Sequence, residues 1–379
     1  MTLPQPQSDL PRSPRQHFPA LDGIRGVAIA VVMIYHLDLK TFLPVVSNVG
    51  WIGVDLFFVL SGFLITGILF DGRDDQHYFR NFYARRTLRI FPLYYAVLAG
   101  YTVLCLWRHN MQIAGELAWL WPYMGNVRMA ITHQWMSRWL NHFWSLSVEE
   151  HYYLVWPAIV LWLDRKSIMR LCVGMMFVAF VLRVALVRMH DPLSAFILTP
   201  CRMDALAAGS WLALAMRGPV DLKMFCRTGL IVFAASAAIL IAMYAATDHL
   251  LDLDPWVQTF GFTLLAAAST GLIAVTVADP ASWLCQCLSI SPLRWLGKYS
   301  YAIYVLHPLF IFTPIVSHGW PPRLAFIPQV VASLLAAWLS WHLYEKHFLK
   351  LKRFFVARPR TPTPIIAATP AQNLQTAAT

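Results

Sequence analysis

The sequence predicts an all-α, polytopic integral membrane bundle of about ten transmembrane helices. Three observations lead there. Of the 379 residues, 58% are hydrophobic and only 13% are charged, whereas a soluble domain carries about a quarter charged residues. The apolar residues gather in runs near the roughly 20 residues that a helix needs to cross a bilayer. The basic residues fall mainly in alternate connecting segments, the pattern that orients a chain in a membrane. Together these exclude a large soluble catalytic domain.

The elements follow in order. Residues 1–18, MTLPQPQSDLPRSPRQHF, are polar and Pro-rich and lack the apolar stretch of a cleavable signal, so they are expected to form a disordered cytoplasmic tail. Apolar runs then occupy 20–39, 50–70, 90–107, 143–163, 170–188, 201–216, 228–247, 256–278, 299–317 and 324–345. Between Arg108 and Asn141 a Trp-rich stretch, AGELAWLWPYMGNVRMA, is too interrupted to cross and suits a segment that lies along the interface or re-enters it. Residues 19–349 thus form one membrane domain. The segment 350–379 is basic and then rich in Pro, Thr and Ala; such a composition cannot bury a core and is expected to be a disordered cytoplasmic tail.

The basic residues test this layout independently of hydropathy. With the N-terminus inside, twenty-one of the 30 Lys and Arg fall in inside segments, six in outside segments, and three (Arg25, Arg183 and Arg202) within spans. Both termini are therefore expected in the cytoplasm. The formal charge of +11 is then mostly topology, and no aqueous domain presents a basic face to nucleic acid. The six cysteines lack the spacing of a disulfide framework or a zinc site, so no metal is expected.

Ionisable residues inside spans carry the chemical information, because each is costly unless it faces a cavity or a partner. The first span holds Arg25 and His36. Eleven positions apart on a helix, they share one face within about 20° and lie about 16.5 Å apart along the axis. Arg25 reads either as a positively charged anchor reaching to water or as a site residue, and His36 either as a satisfied interfacial histidine or as a base.

The segments FPALDGIRGVAIAVVMIYH, GWIGVDLFFVLSGFLITGIL, FYARRTLRIFPLYY, FWSLSVEEHYYLVWP, CRMDALAAGSWLA and LGKYSYAIYVLHPLF occur in this order. Together they resemble the acyltransferase 3 family of membrane-bound bacterial O-acyltransferases, over residues 18 to about 345. The resemblance implies a multi-pass enzyme of the bacterial cytoplasmic (inner) membrane. Such an enzyme moves an acyl group, acetyl by default, from acyl-CoA to a hydroxyl of a cell-surface polysaccharide, lipopolysaccharide or related saccharide. Arg25 and His36 match its Arg-x10-His motif, and Arg86 and Arg89 its Arg-x-x-Arg motif.

The residue types fit that chemistry. Acyl transfer from a thioester to an alcohol needs a base near neutrality, which histidine supplies; His36 is the candidate, either as base or as a transient acyl carrier. A CoA donor brings phosphates, for which Arg offers bidentate contacts, so Arg25, Arg86, Arg89 and Arg85 are candidate donor-binding residues at the cytoplasmic end. Glu149 and Glu150 enter the fourth span from outside by about two turns and are expected at the depth of His36. One of the two faces the cavity there, to orient the ring or hold the acceptor hydroxyl. Asp55 either partners His36 or caps its helix. Arg202 and Asp204 are expected to pair with each other or line an acceptor pocket; Tyr304 and His307, at helical spacing, read either as packing residues or, as the resemblance implies, as lining of the central cavity. Gly50, Gly53 and Gly62 suit close helix packing, and Glu345 is an inner-end structural residue.

Some members of the family it resembles carry an extra extracytoplasmic hydrolase-like domain that completes transfer outside. The length here leaves no room for one, so the expectation is direct transfer to an acceptor or hand-over to a separate extracytoplasmic acyltransferase. The competing class is a transporter that moves acyl donors or saccharides without chemistry, which would also place Arg, His and Glu within the membrane.

Overall fold

The computed structural model describes residues 18–356 apart from 38, 40, 41, 110, 314 and 315. All of the predicted N-terminal tail except Phe18, and the C-terminal tail beyond residue 356, lie outside the described residues. Ten long helices dominate: α1 (Pro19–Leu37), α2 (Ile52–Asp71), α3 (Tyr78–Trp107), α4 (Trp144–Trp162), α5 (Arg165–Arg188), α6 (Thr199–Ala215), α7 (Leu222–Thr247), α8 (Phe262–Ala278), α9 (Ser291–Ile311) and α10 (Phe326–Ser340). No strand occurs among the described residues. Each helix corresponds to one predicted apolar run. Seven of them, counting the wide turns that extend α8 and α10, are long and apolar enough to cross a membrane, which establishes a multi-pass helical membrane protein. The other three are α4, α6 and α9. Helix α6 has only 17 residues, while α4 carries Glu149 and Glu150 and α9 carries Arg294 and Lys298.

Local sequence sets the helix ends. Asp164 caps α5 by accepting from the Lys166 and Ser167 amides, and Asp221 caps α7 through the Lys223 and Met224 amides. Helix α3 begins well before the predicted span at residue 90, because the Arg-rich FYARRTLRI run continues the same helix and the helix carries on through Pro92. The Trp-rich stretch folds into two short helices, Met111–Leu120 and Gly125–Thr132. The hydroxyls of Tyr94 and Tyr95 on α3 donate to the Leu120 and Trp121 carbonyls at 2.7 and 3.1 Å, which ties this segment to the bundle.

Helices α2 and α6 form the most buried layer, with α1, α4 and α8 packed around them. Close approach explains two of the packings. A Cβ on Gly62 of α2 would overlap the Leu206 carbonyl of α6, and one on Gly26 of α1 would overlap the Leu293 carbonyl of α9. Helices α5, α7 and α10 instead turn residues such as Phe177, Ile241 and Val331 outward, as contact with lipid requires.

Candidate active site

At one end of the bundle three imidazoles meet. His36 on α1 and His307 on α9 have ring centroids 4.9 Å apart, and the His142 ring, just before α4, lies 5.7 Å from that of His307. The His36 Nδ1 is 2.9 Å from the Val32 carbonyl oxygen, the His307 Nδ1 is 2.9 Å from the Ile303 carbonyl oxygen, and the His307 Nε2 is 3.3 Å from the His36 Nδ1. His142 and His307 are buried and His36 is partly exposed. Tyr304 fixes the neighbouring backbone: its hydroxyl donates to the His142 carbonyl at 2.7 Å and lies 2.5 Å from the Ser145 hydroxyl.

Glu149 sits two helical turns further along α4 than His142, so it does not share the depth of His36 as the sequence suggested; seven residues correspond to about 10 Å of helix. Its Oε1 accepts from the Ser61 hydroxyl of α2 at 2.5 Å, and the Tyr153 hydroxyl donates to Ser61 at 3.1 Å. The Arg86 guanidinium lies 4.8 Å from the centroid of the Tyr153 ring. Glu150, about 100° round the helix, turns instead toward the Tyr94 and Tyr123 side, where among the described residues its buried Oε1 has no hydrogen-bond partner.

The far end is cationic. Arg25, Arg86 and Arg89 lie within electrostatic reach of one another. Arg25 pairs with Asp22 at 2.9 Å. Arg86 and Arg89 are partly buried, and among the described residues neither guanidinium is hydrogen-bonded or ion-paired; Arg89 packs between the Tyr301 and Trp341 rings, 5.8 and 5.4 Å from their centroids. Two partly desolvated guanidinium groups with idle donors form a receptacle for an anion. Glu345 faces Arg89 and accepts from Ser340 at 2.9 Å. Arg85 is exposed and its Nη1 donates to the Phe355 carbonyl at 3.4 Å, which ties the segment after α10 to α3 beside the cluster.

The expected pairing of Arg202 with Asp204 is not formed. Residues two apart on a helix point about 200° away from each other. Arg202 instead bonds Asp55 of α2 at 2.5 Å, and Asp204 bonds Arg183 of α5 at 2.7 Å. Asp55 therefore does not partner His36; it stands in the first turn of α2, whose capping position is held by Trp51. All four charged side chains are at least 96% buried. The arrangement is two interhelical ion pairs that tie α6 to α2 on one side and to α5 on the other.

The sequence pattern does not single out His142, Ser61 or Tyr153. A signal for each is present: all three are polar residues inside or next to the motifs that carry the resemblance. Among the described residues no group of three or more His, Cys, Asp or Glu is arranged to hold a metal ion.

Comparison with known proteins bears on what such a polar track belongs to. An acyltransferase domain family (Acyl_transf_3) matches residues 18–342. Similar proteins include a peptidoglycan O-acetyltransferase (OatA) of Listeria monocytogenes, 29% identical over 88% of this chain and 56% of the relative, and a putative peptidoglycan O-acetyltransferase (YrhL) of Bacillus subtilis, 31% identical over 87% of this chain and 55% of the relative. An O-acetyltransferase (OatA) of Staphylococcus aureus is 26% identical over 88% of this chain and 57% of the relative. The chain thus spans a little over half the length of these curated relatives. No solved structure matches it. The family match over most of its length, together with the ordered motifs and the two-ended site, identifies the chain as a member of the acyltransferase 3 family.

Proposed function

We propose that the protein is a membrane-bound O-acetyltransferase that takes an acetyl group from acetyl-CoA and transfers it to a hydroxyl of a cell-envelope saccharide. The names of the relatives favour a peptidoglycan-like acceptor over lipopolysaccharide. The observation that carries this reading is the polar track: at one end Arg86 and Arg89, whose guanidinium groups make no hydrogen bond or ion pair among the described residues, the Ser61–Glu149 pair within, and His36 at the other end. In this reading all ten long helices cross the membrane, both termini lie in the cytoplasm, and the arginine end faces it. Arg86 and Arg89, with Arg25 and Arg85 beside them, hold the CoA phosphates. The pantetheine arm spans the distance to His36, which takes the acceptor's proton as the oxygen attacks the thioester. Glu149 holds the acceptor or the arm in place. Delivery to a separate extracytoplasmic acyltransferase is the variant in which the acetyl group leaves the membrane on another carrier.

The test combines two measurements on His36→Ala. Intact envelope glycans from producing cells, analysed by mass spectrometry, should lose an acetyl mass, while the purified variant should bind acetyl-CoA as the parent does. A transporter without chemistry predicts that acetylation survives the loss of the imidazole, and that result would overturn the reading.

A further inference from the structure

The hydrogen bonds around His36 are not interchangeable. Its Nδ1 is 2.9 Å from the Val32 carbonyl oxygen, which only accepts, so that nitrogen carries the proton. The same reasoning puts a proton on the His307 Nδ1, 2.9 Å from the Ile303 carbonyl oxygen. His307 is fully buried, and a proton on its Nε2 as well would set two donors against each other at 3.3 Å. Its Nε2 is therefore a lone pair that shares the His36 Nδ1–H with the Val32 carbonyl. One assignment satisfies all three contacts: both imidazoles neutral, both protonated at Nδ1, and the His36 Nε2 left as the free base.

We propose that His307 is a positioning residue for acyl transfer, fixing the His36 ring by accepting from its Nδ1–H and stabilising the imidazolium that forms when His36 takes up a proton. This rests on the reading of His36 as the base. In the reaction the acceptor O–H bond breaks and its proton moves to the His36 Nε2. The oxygen then bonds to the thioester carbonyl carbon, the C–S bond breaks, and the Nε2 proton passes to the departing thiolate. At the moment His36 is positive, its Nδ1–H becomes a charged donor, and a hydrogen bond from a charged donor is roughly twice as strong as a neutral one. The Val32 carbonyl sets the tautomer, and His307 adds an acceptor whose gain is largest in the transition state. A neutral imidazole here does what a buried carboxylate does in a serine-type triad. Among the described residues no carboxylate bonds His36 in its place: Asp55 is committed to Arg202 and Glu149 to Ser61.

The test uses the full-length protein in micelles, labelled with 15N-histidine, together with kinetics on acetyl-CoA and a soluble saccharide acceptor. In the parent, His36 should give a protonated Nδ1 and an unprotonated Nε2, with a scalar coupling across the bond between the His36 Nδ1 and the His307 Nε2. His307→Leu should lower kcat about ten- to hundredfold with the acetyl-CoA KM unchanged, the loss expected for one charge-assisted hydrogen bond. His307→Gln, which returns an acceptor near the Nε2 position, should recover most of it. A parent His36 protonated at Nε2, or a glutamine variant as slow as the leucine variant, overturns the proposal. His36→Ala that still transfers acetyl overturns the reading of the base instead, and the coupling measured in the parent is untouched by that outcome.

Discussion

Replacing Arg202 by Met strips the counter-charge from Asp55 while keeping much of the side chain's length. Arg202 and Asp55 are each about 99% buried, and the guanidinium rests 3.7 Å from the centroid of the Phe262 ring. Water cannot reach the stranded carboxylate. Removing one member of such a pair costs about 3–5 kcal/mol, because the remaining charge stays desolvated and uncompensated. At 1.36 kcal/mol per factor of ten, this is about two to nearly four powers of ten in the folded-to-unfolded ratio. The double variant Arg202→Met with Asp55→Leu removes both charges, and its stability should lie within about 1 kcal/mol of the parent or above it. Reversible unfolding by SDS in mixed micelles, followed through fluorescence of the 16 tryptophans, measures all four corners of the cycle: the parent, Arg202→Met, Asp55→Leu and the double variant. A single variant that costs less than about 1 kcal/mol, or a double variant whose loss is simply the sum of the two singles, would refute the claim that this buried pair is electrostatically coupled.

Four other outcomes follow from the same geometry. Arg86→Ala and Arg89→Ala should each weaken acetyl-CoA binding about ten- to hundredfold, the loss of one charge-assisted contact, and should leave binding of acetyl-pantetheine, which lacks the nucleotide phosphates, unchanged; titration calorimetry with both ligands checks this. Ser61→Ala should cost less activity than Glu149→Ala, since it removes one donor to the carboxylate and not the carboxylate itself; parallel kcat measurements decide. Gly62→Val should force α2 and α6 apart and cost at least about 1–3 kcal/mol, read as loss of the monodisperse peak in gel filtration. Arg183→Lys should also destabilise, because the guanidinium donates to the Gln258 and Cys201 carbonyls, Thr263 and Asp204 at 2.6–2.9 Å, and an ammonium with three donors cannot reproduce that fork; the same SDS titration measures it.

Local periodicity carried the fold. Every apolar run became a helix, with Arg25 six residues in from the start of α1 and His36 in its last turn. Pairings between distant segments were not legible. Arg202 finds Asp55 at a separation of 147 residues, and no sequence pattern announces which of several buried acids a buried arginine will meet. The error over Asp204 was avoidable, since helical geometry alone forbids an i, i+2 pair. The depth of Glu149 was misjudged for a different reason. Counting turns from the start of an apolar run assumes that all helices begin at one level, whereas α4 is led in by the short Asn141–Phe143 turn, which puts His142 rather than Glu149 beside His307. His142 precedes the apolar run 143–163, so hydropathy alone gives it no weight.

The glycine contact between α1 and α9 is also a fulcrum. The helices touch backbone to backbone at Gly26 and Leu293 and again at Gly297 and Asp22, and His36 lies ten residues, or about 15 Å, further along α1. Over that lever arm a tilt of about 4° displaces the imidazole by about 1 Å, enough to part it from His307. If His36 is the base as proposed, a motion that spreads α1 from α9 would part it from His307, so the proposed mechanism requires these two helices to stay together while the acceptor binds.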